Sequence, residues 1–163
     1  MTDANNSTPT DLADRTLVVE RTFNAPRDLV WQAWTAPKHI EKWWGPHGWA
    51  TTVYKMDVRP GGVWHYCMRG PEDAESWGLG TYSEVNAPGR LSYDDAFSDK
   101  DGNISPNMPV TSIVLDFIEQ DGKTRLVSTS VFDSPETLES LKGMGMMEGL
   151  NETWDRLQEH VEA

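Results

Sequence analysis

The sequence predicts an α+β domain, a curved and largely antiparallel sheet with its helices gathered on one face. Seven strand-like segments follow one another without alternating with helices, apart from two short helices after the first strand. The chain then closes on a segment in which Met147, Leu150, Trp154, Leu157 and Val161 recur at helical spacing, the mark of one buried helix face.

Residues 1–14 are polar, rich in Asn, Ser, Thr and Asp, and read as a disordered tail ahead of a single domain over residues 15–163. Leu17, Val19, Arg21 and Phe23 then alternate with Thr16, Val18, Glu20 and Thr22 as a strand does. Pro26 suits the first position of a helix, where its missing N–H would have no partner. Leu29, Val30, Ala33 and Trp34 give that helix an apolar face, Pro37 ends it, and a second short helix covers 38–43. Thr52, Tyr54, Met56 and Val58 open the next strand, and Arg59-Pro60-Gly61-Gly62 reads as a tight turn. In 63–69, Trp64, Tyr66 and Met68 share one face, and Val63, His65 and Cys67 the other. Strands over 76–85, 91–97, 110–118 and 123–132 complete the series, with turn signals at Pro88-Gly89 and Asp121-Gly122. The polar insertion 98–109 is expected to be mobile. Ser134-Pro135-Glu136 reads as an N-cap followed by a helix-starting proline, and Gly143, Gly145 and Gly149 predict a loop or kink in the last helix.

A length of 163 residues, 37% of them hydrophobic, suffices for one domain with its own core. The single cysteine, Cys67, has no partner for an internal disulfide and points to a reducing compartment. No apolar run approaches the ~18 residues of a membrane span. The first residues lack the basic and apolar stretches of a secretory signal, so the expected location is the cytoplasm. Asn5-Asn6-Ser7 fits a glycosylation acceptor, which has no meaning without secretion. The formal net charge of −12 repels phosphate backbones and anionic membranes, so neither a nucleic-acid partner nor membrane insertion is expected.

Catalytic motifs are scarce. His39, His47, His65 and His160 stand at no metal-ligand spacing, and no metal is expected. His65 and Cys67 share a strand face about 7 Å apart, loose for a nucleophile and its base. The glycines around Gly145 do not follow a dinucleotide fingerprint, and Asp99-Lys100-Asp101-Gly102-Asn103 has its glycine misplaced for a calcium loop. No cofactor and no catalytic residue is therefore assigned. A helix laid across the concave side of a curved sheet leaves either a pocket of roughly 300–1,000 Å³ or a space filled by large side chains, and both outcomes stay open. Trp43-Trp44-Gly45-Pro46-His47-Gly48-Trp49 reads either as a turn sealing the short helices onto the sheet or as a lid or partner patch.

One family matches these residues in order. Phe23-Asn24-Ala25-Pro26-Arg27-Asp28-Leu29-Val30-Trp31, Trp34-Thr35-Ala36-Pro37-Lys38-His39-Ile40 and Trp43-Trp44-Gly45-Pro46 form its opening. Asp57-Val58-Arg59-Pro60-Gly61-Gly62, Met68-Arg69-Gly70-Pro71, Gly122-Lys123-Thr124-Arg125-Leu126, Gly145-Met146-Met147-Glu148-Gly149-Leu150 and Trp154-Asp155-Arg156-Leu157 follow. Over about residues 15–160 the chain resembles the Hsp90-ATPase-activator-homologue-like branch of the START/Bet v 1-like superfamily. The resemblance implies a helix-grip fold, a curved antiparallel sheet around a long C-terminal helix. It also implies a cavity of the kind that holds lipids, hormones or polyketides in the superfamily, some of whose members are cyclases or dehydratases. In the activator itself such a domain accompanies a separate one that docks on Hsp90.

The leading expectation is a non-enzymatic domain that binds a small apolar or amphipathic molecule, with Trp31, Trp43, Trp64, Tyr66, Trp77, Met147 and Trp154 as wall or mouth residues. A second is a stress-related protein contacting an Hsp90-type chaperone through its surface. A third is a cyclase- or dehydratase-type enzyme with His65 or Asp95 as general acid or base. The sequence selects neither monomer nor homodimer.

Overall fold

The computed structural model describes residues 12–163, so residues 1–11 of the expected tail lie outside the described residues. Leu12, Ala13 and Asp14 form a helical turn leading into β1 (Thr16–Phe23). The chain then leaves the sheet. Pro26, with φ −67° and an extended ψ, is the N-cap of α1 (Arg27–Thr35), one residue ahead of the position expected for it. Ala36 is extended, as a residue before proline prefers, and this ends α1. Pro37 itself opens α2 (Pro37–Trp43), its fixed φ starting the helix while its ring stops the one before.

The two helices carry the chain to the far edge of the sheet. From there β2 (Ala50–Met56), β3 (Val63–Arg69), β4 (Glu75–Asn86), β5 (Arg90–Phe97), β6 (Val110–Gln120) and β7 (Lys123–Val131) run back as a meander. The meander ends beside β1, giving the seven-stranded order β1-β7-β6-β5-β4-β3-β2 with every neighbouring pair antiparallel. Register shifts at Val53/Lys55 and Tyr82/Glu84 add local bends, as bulges do.

The expected kink before the last helix is a full break. Ser134 caps α3 (Pro135–Gly143) by accepting from the Thr137 N–H at 3.1 Å. Gly145 then adopts φ +92°, a left-handed conformation that a Cβ would oppose, and α4 (Met146–Glu162) begins after it as a separate helix. Trp154, Leu157 and Val161 of α4 are buried in the core with Phe23, Trp34 and Trp43. The aromatic turn after α2 is fastened to α4 by one side chain. The Arg156 guanidinium donates to the carbonyls of Lys42, Trp44, Gly45, Pro46 and Trp49 at 2.8–3.4 Å.

The insertion 98–109 carries a turn built on Asp99. The Asp101 and Asn103 N–H groups both donate to Asp99 Oδ1 at 2.9 Å, and Ser98 bridges to Ile104. These local bonds hold the carboxyl of Asp99 below its usual range, those from Asn103 first.

Candidate functional site: a cavity between the sheet and the C-terminal helix

Large side chains do not fill the whole space under α4. A cavity of about 370 Å³ remains between the N-terminal half of α4 and the concave face of the sheet. The period of the strands decides what lines it. On β3, Tyr66 and Met68 face it; on β5, Tyr93 and Asp95 do; on β7, Ser128 and Ser130 do. The roof comes from Met146, Gly149, Leu150, Thr153 and Trp154 of α4, at helical spacing on one side. Glycine at 149 leaves room in that roof, since nothing lies near where its Cβ would stand.

Asp95 is the one charged side chain on this wall among the described residues. Tyr66 donates its hydroxyl to Asp95 Oδ1 at 3.2 Å. The two meet across β4, because Tyr66 is paired with Gly78 and Asp95 with Gly80. A methyl group on Gly78 would collide with the Tyr66 ring, so the absence of a side chain there lets the phenol lie over β4 and reach Asp95. Burial raises the Asp95 carboxyl to about 6, and the Tyr66 hydrogen bond opposes that rise. Burial also lifts the Tyr66 and Tyr93 hydroxyls well above their ordinary value, with the nearby Asp95 charge adding to both, so both stay protonated donors.

The seven residues expected at the cavity lie in different places. Tyr66 and Trp154 are in its wall, 5% and 2% exposed overall. Trp77 borders it through its place in β4, but its indole lies on the other face of the sheet, stacked on His65 with centroids 5.3 Å apart and donating to Glu75. Trp43 and Trp64 are buried in the core; Trp43 Nε1 donates to the Ala33 carbonyl at 2.9 Å. Trp31 packs edge-on against Phe117, and neither ring lines the cavity. Met147 is not in the wall, whereas Met146 is. The break at Gly145 sets the phase of α4 so that Met146, Gly149 and Leu150 face the sheet in its first turns.

His65 is on the convex face with Cys67, and its Nε2 lies 3.0 Å from the Asp99 carbonyl. It is therefore remote from Asp95, and of the two acid–base candidates only Asp95 belongs to the cavity. Trp44, from the aromatic segment read as a sealing turn or a lid, lines the cavity with Gly45 and Pro46, whereas Tyr93 and the Ser128–Ser130 pair are not among the expected wall residues. A signal for the strand residues exists: Leu91, Tyr93, Asp95 and Phe97 share one face by alternation, and one carboxylate on an apolar strand face is out of place without a task. Among the described residues no three His, Cys, Asp or Glu side chains converge as a metal site would require, and no helix is long and apolar enough to cross a membrane.

A family model described as "Activator of Hsp90 ATPase homolog 1-like protein" matches residues 24–162. Among solved structures, a crystal structure of a Mycobacterium smegmatis protein is 34% identical, with a TM-score of 0.81 over 91% of each chain. A solution structure of a Staphylococcus epidermidis protein is 31% identical, with a TM-score of 0.83 over 91% of this chain and 90% of that one. An Arthrobacter aurescens protein is 28% identical, with a TM-score of 0.86 over 93% and 88%. No curated protein matches the sequence. The curved antiparallel sheet with its C-terminal helix is the helix-grip arrangement that the sequence motifs implied.

Proposed function

We propose, for a chain that belongs to the activator of Hsp90 ATPase homolog 1-like family, that it binds a small, largely apolar molecule in the cavity beneath α4. The supporting observation is the cavity itself. About 370 Å³ lies against aromatic and aliphatic side chains, at the low end of what a small-molecule site occupies. Core packing ordinarily leaves few gaps larger than a water molecule, so a largely apolar space of this size between the sheet and α4 calls for a reason. The polar groups in its wall are few and spaced, which suits orientation of a ligand rather than hydration of the space.

A thermal-shift panel of lipids, sterols, flavonoids and polyketide-like compounds tests this reading. A compound at 100 times its Kd adds about 2.7 kcal/mol, or roughly 5–10 °C in a chain of this size. A chemically coherent set of stabilising compounds is the expected result. A flat response across the panel contradicts it.

One observation favours a second reading, an acid–base enzyme of the cyclase or dehydratase kind: Asp95 combines a position in the cavity with a pKa of about 6, near the range a general acid or base needs. Its test is chemical. Mass spectrometry of a bound compound after incubation shows conversion that Asp95→Asn abolishes, or it shows the compound unchanged and the reading fails.

A further inference from the structure

Resting on the cavity reading, we propose that the ligand is an amphipathic amine, its protonated nitrogen set against the Asp95 carboxylate and its apolar body against the aromatic walls. One of the two carboxylate oxygens is engaged. Oδ1 takes the Tyr66 hydroxyl, while Oδ2 has no partner among the described residues. Among the described residues no lysine or arginine lines the cavity to compensate the charge. Asp95 is partly buried in this wall, and a carboxylate there without a counter-ion is costly; a cationic nitrogen placed at Oδ2 supplies both a donor and the opposite charge.

The surroundings suit the same chemistry. Tyr66 and Tyr93 both lie close enough to sense the Asp95 charge, and the Trp44 ring stands 5.7 Å from that of Tyr66. Faces of tyrosine and tryptophan attract a desolvated cation, which a neutral ligand does not exploit. An anionic ligand meets the opposite field, and an alcohol satisfies Oδ2 but leaves the charge unpaired. The net charge of −12 further favours approach of cations over anions.

The test compares naphthylmethylamine with naphthylmethanol, which share shape and differ in charge, by calorimetry on the whole protein near neutral pH. The amine is expected to bind tighter, on the order of tenfold or more. Asp95→Asn is expected to erase that preference, the amine losing at least tenfold more affinity than the alcohol. In the wild type the amine's advantage is expected to fade as pH drops below about 6, where Asp95 takes a proton. Equal affinities, or a preference that survives in Asp95→Asn, overturn the amine assignment while the cavity reading stands. Binding of neither compound at millimolar concentration overturns both. Should Asp95→Asn not fold, the wild-type ratio and its pH dependence decide the outcome alone.

Discussion

Asp95 is carried into the cavity by the two-residue period of β5, and burial there disfavours its charged form. A carboxyl raised from 3.8 to about 6 by burial corresponds to at most about 3 kcal/mol of lost stability. The sign follows from proton linkage. The folded state holds this proton more tightly than the unfolded chain, so the contribution is full below pH 3.8 and is lost as pH rises through about 6. Asp95→Asn is therefore predicted to melt higher than the wild type near neutral pH, with the gap closing in acid. Melting curves across that range check it, and a gap independent of pH contradicts the assignment. Gly78→Ala is predicted to push the Tyr66 ring off β4 and break its bond to Asp95, costing about 1–3 kcal/mol through overpacking. Unfolding of that variant by denaturant, read beside its ligand affinity, checks both effects. Trp154→Ala removes an indole that is both core and cavity wall, and is predicted to cost about 3–5 kcal/mol together with ligand affinity.

The elements differ in how plainly the sequence announces them. All seven strands and the capped start of α3 are legible, because alternation and turn chemistry are local and each agrees with the fold. Phase within α4 is not. The stripe from Leu150 to Val161 reads correctly as a buried face, yet one residue of rotation in the first turn puts Met146 rather than Met147 over the cavity. That rotation is fixed by the left-handed Gly145, whose conformation no periodicity reveals. Trp77 does border the cavity, but through its place in β4: its neighbours Ser76 and Gly78 hold the inward positions and its indole stacks on His65 across the sheet. Arg156 stands in the sequence only as part of the closing motif, and periodicity does not show its role, which is to gather the Lys42 carbonyl and four carbonyls of the aromatic turn. A lysine has three donors from a single point and cannot span that set as a planar guanidinium does. Arg156→Lys is predicted to destabilise the fold by about 1–3 kcal/mol. In thermal or chemical denaturation, stability equal to the wild type contradicts a fastening role for Arg156.

Across the whole molecule, the architecture was legible while the cavity was not, because volume left over is a difference between large quantities that no single residue type reports. Composition supplied eight tryptophans, and only the three-dimensional arrangement shows that Trp43 and Trp64 complete the core while Trp44 and Trp154 border a gap. Two titrations act on the molecule in opposite senses. His160 of α4 lies 2.8 Å from His39 of α2, and burial, then His39, then Lys42 hold its pKa below 6.5. The unfolded chain takes that proton first, so stability is predicted to fall as pH drops below 6.5, opposite in sense to the Asp95 contribution. His160→Gln is predicted to flatten this acid limb in a melting series, and an unaltered limb contradicts the assignment.

The central claim is that the space under α4 is a binding site. It is tested most directly by a backbone-amide NMR titration with the compound that most raises the melting temperature. Leu17, Ile113, Ser128 and Leu150 belong to four different elements and share the cavity wall, so their resonances are predicted to shift together and saturate with one Kd. Shifts confined to the convex face around Tyr54, His65 and Trp77, with those four unmoved, would contradict the claim.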